Sequence, residues 1–195
     1  MSKGYLKFNV AIKGETIIMH NGQTADPLNP YARAMKTISA KRKKTEADFK
    51  AMADLEFEAG LYLSASKDVI VPSRVIEAAI CEGARKSKEG KLALSGVFAD
   101  SDLVLNYKGG IKTVSELKED PEFRLAVPVR VGQSRVVRTR PLFRGWSGTF
   151  QISLNSEVAN ASQLRRWIED TGAYLGLGDW RPRHGRFEVS AFDAI

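Results

Sequence analysis

Two apolar periods, following one another in a fixed order, limit what this chain can fold into. In LKFNVAIKGETIIMHN, Leu6, Phe8, Val10 and Ile12 share one face, and Lys7, Asn9, Ala11 and Lys13 share the other. That alternation is the period of a half-buried strand. Gly14 is expected to bend it before Ile17, Ile18 and Met19. In VPSRVIEAAICEGARKSKEG the period changes: Ile76, Ala79, Ile80 and Gly83 fall at helical spacing. Ser73 reads as the N-cap, and Arg85, Lys86 and Lys88 suit the helix C-terminus. The small residues on this stripe predict close packing against a sheet. Between the two segments, LYLSASKDVIV reads as a short hairpin or strand pair.

Further on, LALSGVFA and LVLNY read as strands, TVSELKED as a short helix, and FRLAVPVRVG as a strand that alternates Leu125, Val127, Val129 and Val131. Pro128 makes the last an edge strand. SGTFQISLN alternates Phe150, Ile152 and Leu154 against Thr149, Gln151 and Ser153. A helix follows from about Asn160, with Leu164, Trp167, Ile168 and Leu175 on one side and Gly176 at its cap. RFEVSAF closes the chain as a strand.

Positions 22–60 read as an insertion after the first strand: a breaker-rich loop, the basic run KTISAKRKK, and a helix that Thr45 and Asp48 open as a capping box and Gly60 ends. Positions 92–132 read as a second, β-rich insertion. With both set aside, the order is strand, helix, strand, strand, helix, strand. The expectation is therefore a single α+β domain over 1–195 with a ferredoxin-like, split βαβ core. Many functions use that fold.

The formal net charge of +7 makes nucleic acid or another anionic surface the leading class of partner. Hydrophobic content of 43% and charged content of 27% suit a chain that buries a real core. One cysteine, Cys81, precludes an intrachain disulfide or a cysteine-based zinc site. Two histidines, His20 and His184, argue against a multi-histidine metal centre. No metal or cofactor is expected. The start carries no apolar signal core and no apolar run approaches membrane-spanning length, so the expectation is a reducing, cytoplasmic setting without a membrane partner.

Three stretches concentrate cations. VRVGQSRVVRTRPLFRGW holds Arg130, Arg135, Arg138, Arg140 and Arg144 with no acidic residue among them. Arginine's planar fork binds phosphate bidentately, and Phe143 and Trp146 nearby are either stacking faces or core. KTISAKRKK holds Lys36, Lys41, Arg42, Lys43 and Lys44. It reads either as a solvated run, offset by the acidic residues of the next helix (Glu46, Asp48, Asp54, Glu56, Glu58), or as a flexible finger that tracks a nucleic-acid backbone. GLGDWRPRHGRFEV surrounds Pro182 with Arg181, Arg183 and Arg186, after Gly176, Gly178 and Trp180. Composition leaves it equally a structural turn and a loop whose free amides cradle phosphate.

Three local patterns resemble one family. The opening strand running into ETIIMHNG, the segment VPSRVIEAAICEGAR, and the glycine-rich GLGDWRPRHGRFEV are similar to the first strand and following loop, the small-residue helix and the C-terminal glycine loop of the RAMP superfamily, the RRM-like proteins that form the RNA-binding backbone of CRISPR effector complexes. The chain departs from the pattern in the six residues between Gly178 and Gly185, in Phe187 where the family often has glycine, and in its length. The resemblance thus implies a compact, divergent relative, of the kind a phage or other mobile element carries. It also implies an RRM-like core that binds single-stranded RNA along its backbone, RNA being favoured over DNA, by head-to-tail assembly into a homo-oligomer or filament. Positions 22–60 would then form a finger or palm carrying Lys41, Arg42, Lys43 and Lys44, and the glycine loop would bring Arg181, Arg183 and Arg186 to the strand.

Four functions follow. The first is a non-catalytic RNA-binding protein, with phosphates on Arg135, Arg138, Arg140, Arg144, Arg181, Arg183 and Arg186 and a base on Trp180. The second is a single-stranded DNA-binding protein of phage replication or recombination. The third is a metal-independent RNA endonuclease using His20 or His184 as general acid or base. The fourth is a structural or inhibitory protein whose basic face meets another protein.

Overall fold

The computed structural model describes residues 4–195. In chain order the elements are β1 (Tyr5–Ile18), α1 (Pro30–Ser39), α2 (Glu46–Gly60), β2 (Ile70–Val71), α3 (Ser73–Gly83) and α4 (Gly90–Gly96). There follow β3 (Val97–Ala99), β4 (Leu103–Val104), α5 (Val114–Glu119), β5 (Arg124–Val131), β6 (Ser134–Asn155), α6 (Ala161–Asp170) and β7 (Glu188–Ala194). The fold is mixed α+β. Its main sheet runs β3–β6–β1–β7, and β5 pairs with β6. The pairings β1–β7, β3–β6 and β5–β6 are antiparallel.

The chain divides into two compact units: Met1–Ile17, Leu63–Ile111 and Phe143–Ile195 in the first, Ile18–Tyr62 and Lys112–Leu142 in the second. In the first unit the period-2 faces do what their pattern requires. Phe8, Val10 and Ile12 of β1 and Phe150, Ile152 and Leu154 of β6 are buried. So are Ile76, Ala79 and Ile80 of α3 and Leu164, Trp167 and Ile168 of α6. α3 packs against both α6 and β3, and α6 against β7. Each of the Val, Leu, Ile and Phe side chains among these stabilises the unit by about 1.5–3 kcal/mol relative to leaving it in water.

Several local expectations are corrected. β1 runs through Gly14 to Ile18 as one strand; Gly14 marks a close approach to the Trp146 ring and the Arg186 carbonyl, which a Cβ there would meet, not a break. LALSGVFA is not one strand: α4 takes Gly90–Gly96, and β3 begins at Val97, where β6 supplies a partner. Pro72, not Ser73, is the residue at the N-cap of α3. The Asp102 carboxylate serves as the cap instead, accepting the Ser73 N–H at 2.7 Å. α6 does start after Asn160, but beyond Asp170 it loosens into a π-type turn over Thr171–Leu175 that ends at Gly176.

The second unit joins α1, α2 and α5 to the β5–β6 hairpin. Thr45 and Asp48 form the expected capping box of α2. The acids of α2 mostly do not offset the lysine run. Asp54 meets Arg124 at 2.7 Å, Glu58 meets Lys118 at 2.8 Å, and Glu56 pairs with Arg138. Asp48 alone of the five pairs with a cation of that run, Lys41, at 2.5 Å among the described residues. Beneath these pairs Phe57, Leu61, Leu117 and Phe123 are buried.

Candidate nucleic-acid interface

The glycine loop closes on itself before it meets anything else. Gly176, Gly178 and Gly185 have φ of +83°, +82° and +83°, and Trp180 follows with +60°. The Leu177 N–H donates to the Gly185 carbonyl at 2.9 Å, and the Gly185 N–H donates to the Thr16 carbonyl at 2.7 Å. A Cβ at Gly185 would collide with the Leu177 carbonyl, so only glycine fits there. These bonds pin the loop to the end of β1. His184 strengthens the junction: its Nδ1 lies 3.0 Å from the Thr16 hydroxyl, and Trp180 stacks on its ring at 6.0 Å between centroids. Burial, and then the neighbouring Arg183 charge, hold the His184 pKa below its ordinary value.

Between this loop, Lys13–Thr16 of β1 and Gly145–Ser147 of β6 lies a groove of about 1140 Å³. Arg183, Arg186 and Lys13 line it together with Glu15 and Glu188, and Lys13 reaches Glu188 at 3.7 Å. Its floor includes Trp146, whose buried indole N–H has no hydrogen-bond partner among the described residues. Gly14 allows that floor: a Cβ there would meet the Trp146 ring at 2.7 Å and collide with the Arg186 carbonyl.

The remaining sequence candidates fall elsewhere. Arg181 turns to Glu82 at 3.3 Å, beside a depression of about 400 Å³ that Gly178 and Trp180 also line. Trp180 is 47% exposed, with its free area away from His184. Arg144 is exposed on β6. Arg135, exposed near the hairpin turn, stands opposite Arg130 in the β5–β6 register. Arg138 and Arg140 line a small cavity of the second unit that also includes His20. Arg42 and Lys43 are exposed in the α1–α2 connection, Lys41 is paired with Asp48, and the Lys44 ammonium donates to the Lys41 carbonyl at 3.1 Å. Phe143 and Trp146 are not stacking faces: they are 0% and 1% exposed, packed on Tyr107 and Phe187.

The residues that sequence reasoning missed are Lys13 and Thr16. Lys13 was visible as an outward position of the first alternation. Thr16 belongs to the ETIIMHNG stretch, but its hydrogen bond spans 168 positions and has no local signal.

No family model matches the chain, and no curated protein matches it. Among solved structures, it is similar to a chain in a cryo-EM structure of the Type III-B Cmr-beta bound to cognate target RNA, with a TM-score of 0.57 and 12% identity. The match covers 98% of this chain and 61% of that one, so this chain spans about three-fifths of its neighbour's length. The likeness is one of fold. Among the described residues no cluster of histidine, cysteine or acid side chains is placed to hold a metal, and no helix is long and apolar enough to cross a membrane.

Proposed function

We propose that this chain is a non-catalytic protein that binds single-stranded RNA along its phosphate backbone, as a compact RAMP-like, RRM-like unit that assembles head to tail. The observation that carries the reading is the groove in which Arg183, Arg186 and Lys13 converge at the glycine loop. Guanidinium groups on a loop pinned at Gly185 meet phosphate with little ordering cost. Trp180, half exposed beside the same loop, offers a stacking face for a base. The sheet order β3–β6–β1–β7, with α3 between β1 and β3 and α6 between β6 and β7, supports the ferredoxin-like core. The fold neighbour's bound target RNA supports RNA as the ligand.

Binding of a labelled single-stranded RNA, followed against salt, tests this. The Arg183→Ala/Arg186→Ala double variant is expected to weaken binding and to reduce the slope of log K against log[salt] by about 1.4, at roughly 0.7 per phosphate contact on a single strand. An unchanged slope would remove the groove. Matched DNA competing as well as RNA would favour the single-stranded DNA reading.

A further inference from the structure

The second unit contains its own small cavity, of about 250 Å³, lined by His20, Asn21, Thr24, Glu56, Arg138 and Arg140 among others. Arg138 and Arg140 are two apart on β6, so their side chains leave the strand on one side. Glu56 is the single acid in this lining, and both its oxygens are engaged. One takes the Arg138 guanidinium, and the other accepts the Thr139 N–H at 2.8 Å. Glu56 therefore acts as a clamp that fixes Arg138. Asn21, also in the lining, is equally fixed: its side-chain amide donates to the Leu61 carbonyl at 3.1 Å, and its backbone N–H to the Gly60 carbonyl at 2.9 Å.

Two guanidinium groups against one carboxylate, with a hydroxyl and an imidazole beside them, make a donor-rich, net positive cavity. Its volume lies below the range of about 300–1,000 Å³ usual for drug-sized ligands. A strand does not fit such a space, and a phosphodiester must let its chain leave on both sides. A terminal group needs only one exit and carries about −1.5 to −2 charge at pH 7. We infer that this cavity binds a phosphomonoester, presented either by a free mononucleotide or by the phosphorylated end of a strand. The strand-end form rests on the proposed function; the mononucleotide form does not.

Titration calorimetry on the full chain with AMP, inorganic phosphate and adenosine tests the inference. AMP and phosphate are expected to bind and adenosine not to. Arg140→Gln is expected to lower AMP affinity about tenfold or more. Thr24→Phe, which fills the cavity from an exposed position, is expected to do the same, and Arg165→Ala on α6 to leave affinity unchanged. Competition against AMP by 5′-phosphorylated and by 5′-hydroxyl RNA then assigns the source: stronger competition by the phosphorylated strand identifies a strand end, and no difference between the two strands a free nucleotide. No binding of AMP or phosphate at millimolar concentration, or adenosine binding as well as AMP, would overturn it. Loss of long-strand binding with AMP binding intact would sink the groove reading alone.

Discussion

Arg183 and His184 are adjacent in sequence and opposed electrostatically. The arginine faces the groove, while the imidazole is held against Thr16, where burial and the arginine's charge both disfavour its protonated form. A histidine whose folded pKa is depressed contributes stability that is complete above its unfolded pKa and is lost as pH falls through the folded value. Arg183→Ala removes one of the two causes, so the His184 pKa is expected to rise toward 6.5, its unperturbed value. An NMR titration of the imidazole protons reads this, and an unmoved pKa would mean that burial acts alone. Gly185 is the other decisive residue. Gly185→Ala places a Cβ into the Leu177 carbonyl at φ +83° and is expected to cost about 2 kcal/mol or more in chemical denaturation. Arg186→Ala, with an exposed side chain, should leave the midpoint unchanged. A tolerated alanine would show that the loop is not pinned where these bonds place it.

Among the elements, α6 has both a cap and an anchor. Asn160 accepts the Gln163 N–H at 3.0 Å, and Gln163 answers by accepting the Asn160 N–H at 3.1 Å. Asn160→Ala is expected to cost about 1 kcal/mol in thermal or chemical melts. Glu89 anchors the helix by accepting from Trp167 Nε1 at 2.7 Å, Gln163 Nε2 at 3.1 Å and Arg166. The Ser87 hydroxyl above all, then Trp167, hold its pKa down to about 2. A depressed carboxylate stabilises above its unfolded pKa, near 4.5, and that contribution disappears as pH falls toward 2. The Tm gap between wild type and Glu89→Gln is therefore expected to be open at pH 6 and to narrow below pH 4.5. A gap independent of pH would assign the loss to packing. These elements also mark what was legible. β1 and α3 each carry an apolar period, α2 a local capping box, and α6 both a period and a cap, all within a dozen residues, and each was readable. α4 was not: Leu92 and Leu94 alternate as a strand does, yet both are exposed, and the helix is read from backbone bonds rather than from an apolar face. The cap of α3 was hidden because its carboxylate comes from Asp102, 29 positions away. At the candidate site the arginines were legible as composition, but their sorting was not. Arg138 is fixed by Glu56, 82 positions distant, and Arg181 by Glu82, 99 positions distant.

For the molecule as a whole, a surplus of +7 spread over two units predicts association with polyanions that weakens steeply with salt. Charge alone does not distinguish a single docking event from assembly. Geometry does, because a head-to-tail interface is heterologous and, unless the rotation closes, continues as an open filament. Each added copy then covers the same number of nucleotides. Mass measurement of complexes on single-stranded RNAs of increasing length is the discriminating experiment. Assembly predicts a staircase, with one further protomer for each fixed increment of strand and a mid-series variant of Arg183 and Arg186 shifting the salt at which steps form without changing their width. A smooth rise in stoichiometry would indicate independent binding at overlapping sites. A one-to-one complex at every length would exclude assembly and leave a single-site RNA-binding protein.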